Sequence, residues 1–184
     1  MKLNIIHLPH RIDRLQLLRQ ELSEQNISNF RIWDGITDVE APHIGISKAH
    51  KQIVRDAQDN NLSEVLIGED DLHFTAAGSF RFFLDNKPAD YDIYLASIYY
   101  GTIKEDNTVD DFSALTFYMV NRRFYSIFLA MPENQHLDRA LRRTGKFVVC
   151  NPFTVIQHDG YSDNMKQHFE RGQYLKNRSL LGRS

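Results

Sequence analysis

The chain has 184 residues, of which 42% are hydrophobic and 25% charged, and its formal net charge is −2. This composition is typical of a single globular domain and argues against disorder, and the lack of a basic excess argues against a nucleic-acid partner. One cysteine excludes an intrachain disulfide, and no stretch reaches the roughly 18 apolar residues of a membrane span. The apolar run at the N-terminus is too short for a signal peptide. We expect a cytoplasmic protein, for which a peripheral association with a membrane stays open.

The first 70 or so residues alternate between strand and helix patterns. Short apolar runs at 3–8, 30–35 and 63–68 predict strands. Between them, apolar residues recur at helical spacing: Ile12, Leu15, Leu18 and Leu22, and then Ile46, Ala49, Ile53 and Ala57. Ser47 or a neighbouring residue is expected to cap the second helix. This β-α-β-α-β order with short connections predicts a parallel sheet with helices on its faces.

The second half is predicted to be less regular. Strands are predicted at 91–97, 114–120, 146–150 and 154–157, and helices at 122–131 and 137–143. Asn121 is expected to cap the first of these helices. The polar segment 99–113 is expected to be a mobile loop, and the polar, basic tail from residue 164 onward is expected to be partly disordered.

Charged residues follow each of the first three predicted strands. They are Arg11, Asp13 and Arg14 after the first, Asp34 with Gly35 after the second, and Glu69, Asp70 and Asp71 after the third. The carboxyl ends of parallel strands meet at one edge of the sheet, and ligands bind beyond that edge. Three polar clusters at one edge therefore predict a functional site.

The acidic triplet 69–71 carries the strongest chemical signal. Adjacent carboxylates repel each other, and a divalent cation removes that repulsion. Mg²⁺ and Mn²⁺ prefer such hard oxygen ligands and usually bind them together with substrate phosphates. Because alternate residues of an extended segment point the same way, Glu69 and Asp71 are expected on one side and Asp70 on the other. The alternative is a solvated turn at the end of a strand.

Four segments resemble, in order and spacing, glycosyltransferase family 25, the lipopolysaccharide and collagen galactosyltransferase group. They are NIIHLPHRIDR, RIWDG, GISKAH and VLIGEDD, and they lie within residues 4–71. Further on, FYMVNRRFYSIFL, HLDRALRR and VIQHDGYSDN are similar to later parts of the family pattern. The sequence departs from the pattern at Ala49, where the family has Ser before His50, and at His136-Leu137, which replaces Pro-Val.

The resemblance implies an α/β fold of the GT-A type, with a Rossmann-like, mostly parallel sheet and flanking helices. We expect one domain over 1–184, with a nucleotide-sugar-binding half at 1–97, an acceptor half at 98–165 and a polar tail at 166–184. The resemblance also implies a UDP-sugar donor, Mn²⁺ or Mg²⁺ as cofactor, a carbohydrate acceptor, and inversion at the anomeric carbon. The residues expected to bind the donor are Arg11, Asp13, Arg14, Asp34, Glu69 and Asp70, and those expected to bind the metal are Asp71, Glu69 and His158.

Each of these assignments has a structural alternative. Arg11 and Arg14 suit bidentate recognition of a diphosphate, but they also fit a solvated helix start with ion pairs. Asp34 caps its own turn or lies beside the nucleotide. His50 is packed in the core or catalytic, and His158 is either the late histidine that many GT-A enzymes use as a metal ligand or a surface-turn residue.

An inverting enzyme needs a carboxylate that deprotonates the acceptor hydroxyl. Asp138 is the first choice, from its family position and its place at a helix start, and Asp163 is the second. An exposed capping aspartate is the alternative for both.

The sequence therefore predicts a hexosyltransferase that uses a UDP-sugar, with galactose as the first sugar to test, and acts in lipopolysaccharide or surface-glycan biosynthesis. A non-catalytic nucleotide- or glycan-binding protein on the same scaffold is the alternative. A Mg²⁺-dependent phosphohydrolase is a weaker third hypothesis, because no Asp-x-Asp nucleophile motif lies at the first strand.

Overall fold

The structure is a computed structural model that describes residues 1–182, and its first half follows the predicted alternation. The elements are β1 (Leu3–His7), α1 (Ile12–Glu24), β2 (Phe30–Asp34), α2 (Pro42–Asp59) and β3 (Glu64–Glu69). β1 pairs in parallel with both β2 and β3, so the three carboxyl ends lie side by side. The predicted β-α-β-α-β order is confirmed.

The second half consists of shorter elements. They are β4 (Leu72–Phe74), α3 (Ser79–Asp85), β5 (Ile93–Leu95), β6 (Thr108–Val109), β7 (Phe117–Asn121), α4 (Tyr125–Ala130), α5 (Leu137–Ala140), β8 (Phe147–Val149), β9 (Val155–Gln157), β10 (Gly160–Ser162) and β11 (Gln167–Phe169). Turns of 3₁₀-helix occupy Arg122–Phe124 and Arg171–Tyr174. The sequence analysis missed β4 and α3.

Over residues 1–182 the main sheet has seven strands in the order β2-β1-β3-β7-β5-β8-β6. Five of them run in one direction, whereas β7 and β6 run antiparallel to their neighbours. The ladders β4-β9 and β10-β11 form separate two-stranded sheets. The predicted fold class, an α/β protein with a mostly parallel sheet and flanking helices, is confirmed.

Apolar side chains cover both faces of the main sheet, because successive residues of a strand point to opposite faces. On β3, Leu66 packs with Leu18 and Leu22 of α1, whereas Ile67 packs in a second cluster with Ile53 of α2. Leu66 and Ile67 are both fully buried. The two helices therefore lie on opposite faces of the sheet, and both begin near the edge at which β1, β2 and β3 end.

The start of α2 differs from its prediction. The helix begins at Pro42, no side chain caps it, and Ser47 lies fully buried inside it. A proline suits the first helical turn because its φ angle is preset and no N–H is left without a partner. Asn121, in contrast, accepts a hydrogen bond from the Arg123 amide at 3.2 Å, as predicted for a cap.

Two segments that were predicted to be irregular contain strands. Within 99–113, β6 pairs with β8, and in the tail β11 pairs with β10, while Leu180 bridges to Phe153. Most of these pairings join residues distant in sequence, so no local pattern indicates them. The end of the predicted tail, 183–184, lies outside the described residues. Within residues 1–182, no helix is both long enough and apolar enough to cross a membrane.

Candidate functional site

A cavity of about 510 Å³ opens at the edge of the main sheet where β1, β2 and β3 end. Small-molecule sites usually have volumes of about 300–1,000 Å³. The walls come from the segment after β2, from α2, from the acidic triplet and from the β10-β11 hairpin. The polar and charged lining residues include Arg14, His50, Glu69, Asp70, Asp71, Gln157, Asp163 and Arg171. The structure thus brings part of the predicted site together at the carboxyl edge of the sheet.

Asp70 joins three elements at this edge. Its side chain is 5% exposed, and His7 Nδ1 lies 2.8 Å from its Oδ2. The Leu8 amide donates to the same oxygen at 3.2 Å, and Arg14 donates to Oδ1 at 2.8 Å. A buried carboxylate needs such donors, and here they fix the end of β1 and the first turn of α1 to the end of β3.

Glu69 and Asp71 face a different group. Gln157 Nε2 lies 3.4 Å from Glu69 Oε2 and 3.3 Å from Asp71 Oδ2, so the two carboxylates approach one point. Arg14 reaches the same region, 3.5 Å from Asp71 Oδ2. The expected division of the triplet, with Glu69 and Asp71 on one side and Asp70 on the other, is confirmed.

The electrostatics of Asp71 fit a site for a cation. Burial raises the pKa of Asp71 to about 7, the nearby Glu69 carboxylate contributes in the same direction, and Arg14 opposes both. Ionising a buried carboxyl group beside a second one is costly without a counter-charge. Two carboxylates that approach one point are also the hard oxygen ligands that Mn²⁺ and Mg²⁺ prefer. Glu69 and Asp71 therefore fit a divalent cation.

His50 holds Glu69 from the side of α2. Its Nε2 lies 3.2 Å from Glu69 Oε1, and its Nδ1 lies 2.7 Å from the Tyr118 hydroxyl. A neutral ring with its proton on Nε2 donates to the carboxylate and accepts from the hydroxyl. His50 is only 1% exposed, so the packed, hydrogen-bonded alternative is observed, and a catalytic role for this residue stays a prediction.

The remaining residues predicted to bind the donor are divided between the cavity and its rim. Arg14 lines the cavity, whereas Arg11, Asp13 and Asp34 do not. Arg11 is paired with Asp13 at 2.7 Å and with Asp163 at 2.5 Å. Its hydrogen bond lowers the pKa of Asp13 to about 2. Asp34 is exposed at the end of β2. Donor binding by these residues stays a prediction.

No family model and no curated protein matches this sequence. Solved structures match at the level of fold. A protein from STIV aligns over 100% of this chain and 97% of its own, with 11% identity and a TM-score of 0.57. A glycosyltransferase involved in glycosylation of the major capsid of PBCV-1 aligns over 95% of this chain and 98% of its own, with 10% identity and a TM-score of 0.53.

A third similar structure is a mutant Drosophila β-1,4-galactosyltransferase 7 in complex with manganese, UDP-Gal and xylobiose. It aligns over 100% of this chain and 82% of its own, with 11% identity and a TM-score of 0.52. The fold is that of GT-A glycosyltransferases. Identities this low establish the fold and nothing finer.

His158 was predicted as a metal ligand of the GT-A site, but its ring lies elsewhere. Nε2 is 3.1 Å from Glu21 Oε1, and the ring centroid is 4.6 Å from that of His73. Only its backbone reaches the triplet, where the amide donates to the Asp71 carbonyl at 2.7 Å. The preceding residue, Gln157, occupies the side that faces the carboxylates. The structure therefore does not bring the His158 imidazole together with the acidic pair.

The two predicted bases are also separated. Asp138 does not line the cavity at the edge of the main sheet. Its carboxylate accepts from the backbone amides of Ala114 at 3.2 Å and Arg139 at 2.8 Å, within the first turn of α5. Asp163 lines the cavity, and its carboxylate is paired with Arg11. A catalytic role for either residue stays a prediction.

Gln157 and Arg171, which face the acidic pair, are among the cavity residues that the sequence did not predict. Arg171 follows β11, and its charge opposes the rise in the pKa of Asp71. Its Nε is buried and has no hydrogen-bond partner within residues 1–182. The only sequence signal was a general excess of basic residues in the tail, which does not distinguish Arg171 from its neighbours. Gln157 was recognised as a strand end but not as a contact of the triplet.

Proposed function

We propose that the chain is a glycosyltransferase that moves a hexose from a UDP-sugar to a carbohydrate acceptor, with inversion at the anomeric carbon. The observation that carries the proposal is the facing pair of carboxylates, Glu69 and Asp71, at the carboxyl edge of a GT-A sheet. The Drosophila structure of the same fold was solved with manganese and UDP-Gal, which supports the choice of donor and of cation.

The donor's diphosphate would meet both negative and positive groups in the cavity. A divalent cation bound at Glu69 and Asp71 would stabilise the charge that develops on UDP as the sugar leaves. Arg14 and Arg171 supply guanidinium groups, which recognise phosphate oxygens in a bidentate manner. Asp70 holds Arg14 and the end of β1 in place. Its role is to keep the other two carboxylates oriented.

For the acceptor, we propose Asp163 as the base. It lines the cavity, whereas Asp138 binds backbone amides outside it. The ion pair with Arg11 keeps Asp163 ionised, as a base must be before it accepts a proton. Arg11, at the rim, would position this carboxylate and contact the nucleotide together with Asp13 and Asp34.

The choice of sugar, product and compartment rests on the four sequence segments that resemble family 25. They favour galactose as the sugar, a lipopolysaccharide or other surface glycan as the product, and the cytoplasm as the compartment. All four segments place residues around the cavity: Arg14, Gly35, His50 and the triplet 69–71 all line it.

Isothermal titration of the purified chain with UDP, in the presence and absence of Mn²⁺, tests the proposal. We expect Mn²⁺ to strengthen UDP binding in the wild type and to have no effect in Asp71→Asn. Asp85→Asn, which removes an exposed carboxylate of α3 paired with Arg81, is the matched control and should behave as the wild type. Absence of UDP binding, or equal Mn²⁺ dependence in Asp71→Asn, would contradict the proposal. Release of UDP from UDP-galactose and UDP-glucose then identifies the donor.

One observation favours a second function, that of a non-catalytic nucleotide- or glycan-binding protein. Arg14 already contacts both Asp70 and Asp71, so the protein supplies part of the counter-charge itself. Such a protein would bind UDP without Mn²⁺ and would not turn over any UDP-sugar, even by hydrolysis. Mn²⁺-dependent turnover excludes this alternative.

A further inference from the structure

A second cluster of metal-binding side chains lies outside the cavity. Glu21 of α1, His73 of β4 and His158 after β9 place one ligand atom each within 4.8 Å of one another. None of the three lines the cavity. We propose that this triad is a site for a transition-metal ion of the Zn²⁺ class, distinct from the carboxylate pair Glu69 and Asp71.

The donor set matches that class of ion. Two imidazoles and one carboxylate are a known ligand set for Zn²⁺ in proteins, and water or a further group completes the coordination. Imidazole also suits Cu, Fe and Ni, whereas Mg²⁺ and Ca²⁺ prefer oxygen alone. The two sites of this chain would therefore select different cations, one by nitrogen ligands and the other by hard oxygens.

The distances require only a small adjustment. His73 Nδ1 lies 2.6 Å from Glu21 Oε1, and His158 Nε2 lies 3.1 Å from the same oxygen. Zinc bonds of about 2.0–2.1 Å in a tetrahedral site separate the ligand atoms by about 3.3–3.4 Å. His73 Nδ1 would have to move away from Glu21 Oε1 by about 0.7 Å and His158 Nε2 by about 0.2–0.3 Å, which side-chain rotation supplies.

The surroundings orient the carboxylate. Glu21 is 6% exposed, and its Oε2 accepts from the Phe74 amide at 2.9 Å, which directs Oε1 toward the two rings. Metal-bound carboxylates are generally hydrogen-bonded in this way. His158 Nε2 is buried, and although it lies near Glu21 it forms no well-aligned hydrogen bond within residues 1–182. A buried nitrogen of this kind is available to a metal.

Zinc binding would connect the triad to the cavity mechanically. The ion would join the end of α1 to the β4-β9 ladder, in which Leu72 pairs with Gln157 and directly follows Asp71 of the carboxylate site. The expected role is to fix this ladder. This role does not depend on the proposed sugar transfer, so either proposal can fail without the other.

Zinc titration of the full chain after treatment with chelator tests the inference. We expect one tightly bound Zn²⁺ per chain, and thermal unfolding at a higher temperature when it is present. Glu21→Gln and His158→Ala should each weaken binding by more than about 100-fold, since even outer-shell partners contribute about 10–100-fold. Circular dichroism of the zinc-free variants checks that they fold.

Two control variants separate this site from other metal-binding groups. Asp71→Asn removes the carboxylate pair, and His136→Ala breaks the surface pair His43–His136, whose ring centroids lie 5.3 Å apart. Both should retain the tight Zn²⁺. Loss of binding in either control, retention in Glu21→Gln and His158→Ala, or no tight Zn²⁺ in the wild type overturns the inference.

X-ray absorption at the zinc edge gives a test that needs no variant. The zinc-loaded wild type should show two imidazole ligands together with oxygen. A spectrum with oxygen ligands alone would assign the ion to the carboxylate pair and overturn the inference.

Discussion

Arg14 Nη1 donates to Asp70 Oδ1 at 2.8 Å, and this contact links the first turn of α1 to the end of β3. The Arg14 side chain is 16% exposed and that of Asp70 is 5% exposed. The same guanidinium lies 3.5 Å from Asp71 Oδ2 and donates to the Tyr161 carbonyl at 2.9 Å. One side chain thus holds the acidic triplet and the β10-β11 hairpin together.

Replacement of this guanidinium should cost both stability and binding. We expect Arg14→Gln to lower the free energy of unfolding by about 1–3 kcal/mol, because the buried Asp70 carboxylate loses one of its hydrogen-bond donors. UDP binding should weaken at the same time. Arg14→Lys keeps the charge but not the forked geometry, so it should recover part of the stability and little of the binding. Urea unfolding and calorimetry measure the two effects, and a stable Arg14→Gln that binds UDP normally would contradict the role assigned here.

Asp71→Asn should make the metal-free protein more stable while it removes Mn²⁺-dependent binding. Asp71 is 7% exposed and lies near Glu69, so the neutral amide relieves both the burial of a charge and the repulsion. We expect a gain of about 1–2 kcal/mol in the free energy of unfolding at pH 8 in chelator. Substitution of a functional residue that is held in an unfavourable environment commonly raises stability. Urea unfolding of the wild type and of Asp71→Asn, with and without Mn²⁺, measures this gain. A loss of stability in chelator would show that Asp71 has a structural partner instead.

The Arg11–Asp163 pair should secure the hairpin in a pH-dependent way. Burial raises the pKa of Asp163, but the hydrogen bonds from Arg11 and His10 outweigh it and hold the pKa below its usual value. A carboxylate whose pKa is lower in the folded state stabilises the folded protein at pH values above its pKa in the unfolded chain, which is about 3.9. This stabilisation is lost as the pH falls through the pKa of the folded state.

We therefore expect Asp163→Asn to reduce amide protection in 160–169 at pH 6 by roughly 0.3–1 kcal/mol, and to have no effect at a pH low enough to protonate Asp163 in the folded state. Hydrogen exchange measures the protection factors. Asp110→Asn, which breaks the exposed pair with Lys104, serves as the control and should leave 160–169 unchanged. An equal effect of Asp163→Asn at both pH values would exclude the ion pair as the cause.

Gly45 permits α2 to pack against the segment that forms one wall of the cavity. A Cβ at this position would collide with the Ile36 carbonyl oxygen, a backbone atom that cannot turn aside. We expect Gly45→Ala to cost about 1–3 kcal/mol, as overpacking does, and to weaken UDP binding by displacing 36–38. At Gly172 a Cβ would meet nothing within 4 Å, so Gly172→Ala should change stability by less than about 0.5 kcal/mol. Similar effects of the two substitutions would refute the packing explanation.

Local patterns sufficed to predict the first half of the fold. The apolar spacing in α1 and α2 and the short runs of β1 to β3 are each readable within one element, and the roles within 69–71 follow from strand alternation. The contacts that complete the cavity come from other parts of the chain. Gln157 and Arg171 reach it only after the β4-β9 ladder and the β10-β11 hairpin have formed, and no periodic pattern in the sequence marks either pairing.

The burial of Glu21 and the direction of the His158 ring could not be predicted from the sequence, for a different reason. Glu21 falls in an amphipathic helix, where a glutamate is normally solvated, yet it is buried against β4. The direction of the His158 ring depends on where β9 ends, and a shift of one residue would exchange it with Gln157. Both features depend on the exact position of a residue against the neighbouring element, which composition and spacing do not determine.

The Tyr161 carbonyl accepts hydrogen bonds from both Arg11 and Arg14. Arg14 donates from Nη1 to Asp70 and from Nη2 to Tyr161, so an anion that draws the guanidinium toward itself would strain the bond to this backbone oxygen. Arrival of a pyrophosphate would then loosen the very chain segment that covers it. Occupancy of the cleft and the position of its cover would be coupled through Arg14, while Arg11 keeps its own bonds to the hairpin, without any change in the sheet beneath.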